Sequence, residues 1–421
     1  MMGLALLTTQ VLAQSIDVPY TFTTIAGPSR FPIDGNADGI GSAARFFLPY
    51  GVAVDSGGIV YVAEPFAARI RKLSPVGTNW VVTTIAWPTT GPPLQQPFGV
   101  AAGSAGVVYV TDFATNLVFQ LTPVGTNWAV TTLAGKPGGG AGDGTGTNAG
   151  FNGPMGVAVD GTNNIYVADF NNNTIRKITR DGVVTTLAGM AGMSGSTDGT
   201  GSVARLNNPA AVAVDGAGNI YVGEGNQYTS TIRKITPVGT NWVVTTLAVR
   251  QLSPGGSGTN APGGPSGGIA VDSAGNVYTG DAQTIWKASP TGAVTIIAHG
   301  NTGSADGTGT FAQFLWPNGV AVDNAGNLYI TDGGNDNIRE GHRENAPAVI
   351  VTPNLPVGST GGQFGFMLTG PPGQLVVVEA SADLLTWVPV VTNTFLQTPG
   401  LNFSDPQSGV FSNRFYRART P

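Results

Sequence analysis

The chain has 421 residues, with 63 glycines, 29 prolines, 10% charged residues and a mean hydropathy of +0.10, a combination that excludes a disordered chain. The net charge is −5, and the 19 basic residues are spread too thinly to form the cluster that would bind nucleic acid or an anionic membrane. Cysteine is absent, which excludes disulfides, thiolate chemistry and Cys-ligated zinc.

Residues 1–13, MMGLALLTTQVLA, form an apolar segment that is typical of a signal peptide. Val11 and Ala13 fit signal-peptidase cleavage before Gln14, although no basic residue precedes the apolar run. We therefore expect a bacterial protein that is secreted, periplasmic or attached to the cell surface. No later stretch is long and apolar enough to span a bilayer, so no membrane span is expected.

The phrase GVAVD, or a close variant, returns six times at intervals of about 50 residues. Each copy is followed by a Tyr-centred strand, a third strand such as TIRKI and a fourth such as VVTTLAG. Such a unit cannot bury its own apolar faces without neighbours, so the pattern predicts an all-β propeller over residues 20–345. Five aspartates after the first strand are expected to cap tight turns: Asp55, Asp160, Asp215, Asp272 and Asp323.

The number of fourth strands indicates how the ring closes. Six sets of the first three strands are followed by only five fourth strands, near residues 81–87, 129–135, 183–189, 243–249 and 293–298. The missing pattern occurs at the front of the chain, as TFTTIAG over residues 21–27. We therefore expect a six-bladed β-propeller in which this N-terminal strand completes the last blade, residues 319–342.

In these pieces, G-V-A-V-D, N-x-Y-V-A-D and x-I-R-K, the chain resembles NHL-repeat proteins over residues 20–345. The resemblance implies the propeller fold. Relatives of this fold include protein-binding ectodomains, the amidating lyase that acts on peptidyl-hydroxyglycine, and lactonase-like and antibiotic-lyase propellers. The enzymes among them use histidines and carboxylates around a metal ion at the mouth of the central channel.

The chain departs from that enzymatic pattern because it has only two histidines. His299 ends a fourth strand, on the face that carries the connections between blades, which we call the loop face. His342 ends a third strand and is expected on the opposite face, so the two cannot share a metal ion. Neither G-x-S-x-G nor a Ser/His/Asp set is present. The sequence therefore favours a protein without catalytic residues or a cofactor.

An acid stands at the end of each second strand, and we expect six carboxylates around the loop face: Glu64, Asp112, Asp169, Glu224, Asp281 and Asp332. In four blades an arginine on the next strand favours a structural ion pair: Arg71, Arg176, Arg233 and Arg339. Phe119 and Trp286 replace it in the other two. A buried carboxylate without its cation must find another donor, so Asp112 and Asp281 are the first candidates for ligand contacts.

The segment DGNADG, residues 34–39, matches the opening of a calcium loop with Asp34, Asn36 and Asp38 as ligands. The twelfth position, where a bidentate Glu belongs, is Arg45. Three later loops keep only the final Asp-Gly pair. The pattern favours a repeated turn, and binding of calcium or another divalent ion is the alternative.

Apolar residues end the loops before several first strands. One equivalent position is expected to fill the gaps between blades: Phe46, Phe151, Leu206 and Phe314. The next positions are apolar only before the first and last blades, which are neighbours in a closed ring. They are predicted to form a partner patch on the loop face, with burial under the loops as the alternative: Phe47, Leu48, Leu315 and Trp316.

A different β pattern occupies residues 346–421 and predicts a small β-sandwich domain. It resembles the fibronectin-III-like C-terminal modules of secreted bacterial proteins in VEASADLLTWVPV and FSDPQSGVFSNRFYRAR. Trp387 and Tyr416 are its expected core residues.

The sequence thus predicts a secreted, monomeric, non-enzymatic scaffold that presents its loop face to a protein or a glycan. The first alternative is a metal-dependent lyase or lactonase-like hydrolase with carboxylate ligands at the channel mouth. A purely structural module of an envelope assembly is the second.

Overall fold

The computed structural model describes residues 19–28, 35–88, 91–226, 229–251, 268–299 and 302–343, followed by 350–353, 364–369, 375–381, 388–394, 401–405 and 415–419. One compact unit spans Pro19–His342 and contains the propeller. The predicted signal peptide, Asp34 and Trp387 lie outside the described residues. In the described ranges, no helix is both long and apolar enough to cross a membrane.

The propeller has six blades, each an antiparallel sheet whose first strand lies innermost and whose fourth strand lies towards the outside. The strands, from first to fourth, are Val52–Val54, Val60–Glu64, Arg69–Val76 and Asn79–Thr84 in blade 1; Pro97–Ala102, Val108–Asp112, Leu117–Val124 and Asn127–Ala134 in blade 2; Pro154–Val159, Ile165–Asp169, Thr174–Ile178 and Val183–Gly189 in blade 3; Ala211–Val214, Ile220–Asn226, Thr229–Val238 and Asn241–Gln251 in blade 4; Ile269–Val271, Val277–Asp281, Thr284–Ala288 and Val294–His299 in blade 5; and Pro317–Val322, Leu328–Asp332, Asn337–Arg343 and Tyr20–Ala26 in blade 6.

Blade 6 confirms the predicted closure, because its fourth strand is the N-terminal strand Tyr20–Ala26, paired with Asn337–Arg343. Four blades gain a two-residue fifth strand from the Asp-Gly loops that precede them: Gly39–Ile40, Gly144–Thr145, Gly199–Thr200 and Gly307–Thr308. These outer strands protect the edges of the sheets from pairing with other chains. Short 3-10 helices occur at Gly41–Ala43, Ser104–Gly106, Gly146–Asn148, Phe170–Asn172, Gly201–Val203, Gly309–Phe311 and Gly333–Asn335.

The core lies between the blades. Each pair of neighbouring blades encloses one cluster of buried apolar side chains, including the cluster between blades 6 and 1 that closes the ring. The predicted gap-filling residues Phe46, Phe151, Leu206 and Phe314 are fully buried in these clusters. Both faces of a blade therefore lose contact with water, which is why the strands are apolar on both sides.

The turns between first and second strands follow the prediction for their aspartates. Asp160, for example, accepts hydrogen bonds from the backbone N–H groups of Thr162 at 2.9 Å and Asn164 at 2.9 Å. Tyr166 also donates its hydroxyl to Asp160 at 3.0 Å. The same turn recurs at Asp55, Asp215, Asp272 and Asp323.

The chain beyond the propeller forms two antiparallel three-stranded sheets, the composition of a small β-sandwich. One sheet contains Ile350–Pro353, Phe364–Thr369 and Leu401–Asp405, and the other contains Val388–Thr394, Leu375–Ser381 and Phe415–Arg419.

Candidate functional site

The loop face is defined by the strand register. Pro154, at the start of a first strand, pairs with Asp169, at the end of the second strand of the same blade. The equivalent pairs in blades 2 and 6 are Pro97 with Asp112 and Pro317 with Asp332. The beginnings of the innermost strands and the ring acids therefore meet at the same end of each blade, around the mouth of the central channel.

The ring acids are buried and hold the loops between blades in place. In blade 3, Asp169 is fully buried and accepts hydrogen bonds from Arg176 Nη1 at 2.9 Å and from the backbone N–H of Asn152 at 2.7 Å. Arg176 also donates to the backbone oxygen of Gly150 at 2.8 Å and lies over the ring of Phe151 at 5.1 Å. We call this arrangement the arginine latch.

The same latch occurs in blades 1 and 6, as Glu64 with Arg71 and Asp332 with Arg339. Blade 4 keeps the ion pair of Glu224 with Arg233, with Leu206 in place of the phenylalanine. The four arginines reach outwards as well, to a half-exposed aspartate of the preceding Asp-Gly loop: Asp38, Asp143, Asp198 and Asp306. Burial raises the pKa of Glu64, Asp169 and Glu224, against the opposing effect of their hydrogen-bond donors, and raises that of Asp332 to about 7. Four of the six ring acids thus have the structural partners that the sequence predicts.

The two exceptional acids are also satisfied, by donors that the sequence did not reveal. Asp112 accepts hydrogen bonds from the backbone N–H groups of Gln95 at 2.7 Å, Gln96 at 3.0 Å and Thr115 at 2.9 Å. Asp281 forms an ion pair with Arg250 of blade 4 and accepts a hydrogen bond from Trp286 Nε1 at 2.7 Å. Both carboxylates are buried, and their role as ligand contacts stays a prediction.

The calcium candidates that the structure describes are engaged by neighbouring groups. Asp38 accepts hydrogen bonds from Arg71 at 3.1 Å and from the hydroxyl of Thr84 at 2.7 Å, and the backbone oxygen of Asn36 accepts one from Arg69 at 2.9 Å. Although burial raises the pKa of Asp38, these hydrogen bonds and the charge of Arg71 bring it below its ordinary value. No three His, Asp or Glu side chains in the described ranges come close enough to share a metal ion.

The two histidines lie at opposite ends of their blades, as predicted. His299 Nδ1 is 2.8 Å from the hydroxyl of Thr284, at the loop face of blade 5. His342 Nδ1 is 3.2 Å from the side-chain oxygen of Asn327, in the turn between the first and second strands of blade 6.

The predicted partner patch consists of four half-buried side chains, Phe47, Leu48, Leu315 and Trp316. Leu48 and Trp316 have positive φ angles of 45° and 56°, in the left-handed region that large side chains rarely adopt. Their backbone N–H groups bind Asp336 Oδ1 and the backbone oxygen of Ala282, each in the loop of the preceding blade. Gly153 and Asn208 fill the equivalent positions before blades 3 and 4. These residues join neighbouring blades, and a partner role for the patch stays a prediction.

A second apolar surface was missed by the sequence analysis. Five aromatic rings follow one another around the channel mouth from blade 1 to blade 3, which we call the aromatic shelf: Tyr50, Phe66, Phe98, Phe113 and Phe170. Tyr50 and Phe98 are buried and meet edge to face, with ring centroids 4.9 Å apart. Phe113 is 5.6 Å from Phe98 and 6.3 Å from Phe170. Phe66 is 39% exposed, and Phe113 and Phe170 are half-buried, so the shelf presents aromatic surface to solvent.

The shelf occupies only one half of the ring. The equivalent positions in blades 4 and 6 hold Ala210, Gly225, Asn318 and Gly333. Below the mouth, the channel narrows to a cavity of about 50 Å³ lined by the first strands, including Tyr50, Phe98, Met155, Ala210 and Asn318. That volume admits a few water molecules and is too small for a larger ligand.

The signal that could have identified the shelf is the variation between repeats. The residue after the repeated proline is Tyr50, Phe98 or Met155 in blades 1–3 but Ala210 or Asn318 in blades 4 and 6. Phenylalanine follows the ring acid directly in blades 2 and 3 and one residue later in blade 1, after Pro65, but neither position holds phenylalanine in blades 4–6. These positions differ from one repeat to the next, so the repeated pattern itself does not predict the shelf.

Comparison with known proteins supports the fold. Two segments, residues 151–178 and 314–340, match the family model described as NHL repeat. The comparison with curated protein sequences found no significant match.

Among solved structures, the chain is similar to an auxiliary nutrient binding protein from Bacteroides ovatus, with a TM-score of 0.56, 17% identity, and 78% of each chain covered. An auxiliary nutrient binding protein from Bacteroides thetaiotaomicron matches with a TM-score of 0.55 and 15% identity, over 78% of this chain and 77% of that one. Virginiamycin B lyase from Staphylococcus aureus matches with a TM-score of 0.44 and 14% identity, over 76% of this chain and 98% of that one. The two matches with TM-scores above 0.5 show a shared propeller fold.

Proposed function

We propose that this chain is an exported, non-enzymatic binding protein that holds a protein or glycan ligand on its loop face, against the aromatic shelf. The observation that carries the proposal is the unbroken run of edge-to-face rings from Tyr50 to Phe170, with Phe66 exposed at its margin. Aromatic side chains supply large contact areas and lose little conformational freedom on binding, so they dominate the energetics of many binding sites.

The structural role of the ring acids supports binding over catalysis. A metal-dependent lyase or hydrolase with carboxylate ligands would need several of these acids to converge on one ion. Each is instead buried in its own blade and engaged by an arginine or by backbone N–H groups, as Asp169 and Asp112 illustrate. A carboxylate held in this way is already compensated for the loss of water and stabilises the loop that donates to it.

Two further points favour a role in uptake or attachment outside the cytoplasm. The apolar segment over residues 1–13 favours export, and the two neighbours with the highest TM-scores quoted above are named auxiliary nutrient binding proteins. The C-terminal unit, which we interpret as a fibronectin-III-like module, would then serve as a spacer or attachment domain, and the chain would act as a monomer.

The test is to screen the full chain against a glycan array and an array of purified bacterial envelope proteins. The shelf variant carries Phe66→Ala and Phe113→Ala together. The control is Phe311→Ala, because Phe311 is 80% exposed and lies in a 3-10 helix at the outer edge of blade 6.

We expect at least one ligand that the wild type and the control bind equally and that the shelf variant binds at least about tenfold more weakly. Ligand binding that the shelf variant retains in full contradicts the proposal. Conversion of a bound ligand to a product, followed by mass spectrometry, would support the enzymatic alternative.

A further inference from the structure

Two exposed asparagine side chains lie beside the aromatic shelf. Asn152 precedes the first strand of blade 3, and Asn171 belongs to the loop between the second and third strands of the same blade. Asn171 Nδ2 donates to Asn152 Oδ1 at 3.3 Å. We call these two side chains the amide pair. They lie where the aromatic shelf passes from Phe113 of blade 2 to Phe170 of blade 3.

The geometry at Gly153 shows how close the amides are to the rings. A Cβ atom at this position would lie 2.5 Å from Asn171 Nδ2 and 2.6 Å from Phe113 Cε2. The ring edge and the amide thus approach each other across a single glycine, whose φ of +60° and lack of a side chain both permit the contact. Phe170 directly precedes Asn171 and brings a second ring to the same place.

Both asparagines are fixed through their backbones. The N–H of Asn152 donates to Asp169 Oδ1 at 2.7 Å, and the N–H of Asn171 donates to the backbone oxygen of Asn152 at 3.1 Å. Gly153, between them in space, donates its N–H to Asn116 Oδ1 at 2.8 Å. Groups held in this way lose little freedom when a ligand binds, which favours affinity.

The remaining hydrogen-bonding capacity of the pair points outwards from this network. No described residue engages Asn171 Oδ1 or Asn152 Nδ2, and both side chains are exposed. An amide offers a donor and an acceptor on one rigid group, which is what two adjacent hydroxyl groups require. The carboxylates beneath, Asp112 and Asp169, are fully buried, so this surface is aromatic and amide in character rather than charged.

From this juxtaposition we infer that the shelf is a binding site for a neutral oligosaccharide, with Phe113 and Phe170 packing against the C–H face of a sugar ring and Asn152 and Asn171 binding its hydroxyl groups. The inference rests on the proposed function and specifies its ligand. The four side chains carry no charge, which favours a neutral ligand, and the acidic probe in the test below covers the use of Lys136, in the loop before blade 3, by an anionic chain. A protein segment would need a larger apolar surface than three partly exposed rings provide. The cavity among the first strands, about 50 Å³, is too small for a sugar ring, so the sugar would bind at the mouth.

The test is isothermal titration of the full chain with cellohexaose, maltohexaose, xylohexaose and mannohexaose, and with oligogalacturonate as the acidic probe. The variants are Phe170→Ala, Asn171→Ala and Asn152→Ala. Asn148→Ala is the matched amide control, because Asn148 is exposed in a 3-10 helix at the outer edge of blade 3. Thermal melting of each variant checks that the propeller remains folded.

We expect the wild type and Asn148→Ala to bind at least one neutral oligosaccharide equally. Phe170→Ala and Asn171→Ala should each weaken that binding at least about tenfold, and Asn152→Ala about threefold to tenfold. Absence of binding to every neutral probe, preference for the acidic probe, or binding that Asn171→Ala leaves unchanged would overturn the inference.

The two proposals fail in different ways. If a protein ligand is lost in the Phe66→Ala, Phe113→Ala variant while no neutral sugar binds, the oligosaccharide inference is wrong and the proposed function stands. If the shelf variant leaves all binding unchanged, both are wrong.

Discussion

Blades 3 and 5 satisfy the same buried acid with different residues. In blade 3, Arg176 on the neighbouring strand pairs with Asp169 within one sheet. In blade 5, Trp286 takes the place of that arginine, and the cation comes from Arg250 at the end of the fourth strand of blade 4. Both blades keep the buried acid, whereas its cation comes from the same blade in blade 3 and from the preceding blade in blade 5.

The largest loss of stability is expected in blade 3, where the acid and its arginine are both fully buried. Arg176→Ala leaves Asp169 buried without its cation and also frees the backbone oxygen of Gly150, so we expect the free energy of unfolding to fall by about 3–5 kcal/mol. Urea denaturation at neutral pH measures the change. Arg180→Ala, at an exposed position of the same blade, is the control and should change stability by less than about 0.5 kcal/mol. Equal effects of the two substitutions would contradict a stabilising latch.

In blade 5, removal of the cation is expected to reduce the free energy of unfolding by a smaller amount. Arg250→Ala should cost about 1–3 kcal/mol, because the Arg250 side chain is 18% exposed and Asp281 keeps the hydrogen bond from Trp286. Urea denaturation of Arg250→Ala and Arg176→Ala under the same conditions shows which substitution lowers the free energy of unfolding more. A loss in blade 5 that equals or exceeds the loss in blade 3 would show that the source of the cation does not matter.

The buried acid of blade 6, Asp332, is expected to make the free energy of unfolding depend on pH. Burial raises its pKa from an ordinary value of 3.8 to about 7, so between these values the folded protein binds more protons than the unfolded chain. The contribution of Asp332 to stability is therefore full below pH 3.8 and is lost as the pH rises towards 7. Over this window we expect the unfolding free energy of the wild type to fall more steeply than that of Asp332→Asn, by up to about 1.4 kcal/mol per pH unit.

Denaturation at several pH values between 4 and 7 provides the slopes. Asp181→Asn, which removes an exposed carboxylate in a turn of blade 3, is the matched control. Parallel slopes for the wild type and Asp332→Asn would be inconsistent with a raised pKa at this site.

The ion pair between Arg176 and the outer aspartate, Asp143, is expected to contribute least to stability. Asp143 lies 2.9 Å from Arg176 Nη2, but its side chain is 50% exposed, so solvent screens the pair. Asp143→Asn should therefore reduce the free energy of unfolding by about 0.2–1 kcal/mol. If this substitution were as harmful as Arg176→Ala, the outer aspartate rather than Asp169 would be the main partner of the arginine.

The repeats made most of the propeller predictable, because each strand pattern recurs beside the same turn. The strand predicted from TFTTIAG is Tyr20–Ala26, and the fourth strand of blade 3 matches its predicted range of residues 183–189. The ion pairs of blades 1, 3, 4 and 6 were predictable for the same reason, since acid and arginine stand at fixed positions in adjacent strands.

The interactions that could not be predicted from the sequence are those between neighbouring blades. Arg250 reaches Asp281 only because the fourth strand of blade 4 extends to Gln251, two residues beyond its predicted end. The aromatic shelf likewise depends on contacts between blades, such as Phe98 with Phe66 and Phe113 with Phe170. The residue pattern within one blade does not show which side chains will contact the neighbouring blade.

The closing strand imposes an order on the assembly of the protein. Tyr20–Ala26 is synthesised before every other part of the ring, yet the strand it pairs with, Asn337–Arg343, is synthesised after all the other blades. Until the ring closes, Phe22 lacks its contact with Phe314, whose ring centroid lies 5.2 Å away in the finished fold, and unpaired sheet edges remain at both ends of the chain. A prematurely terminated chain keeps those edges exposed to aggregation and proteolysis, so ring closure distinguishes complete molecules from truncated ones.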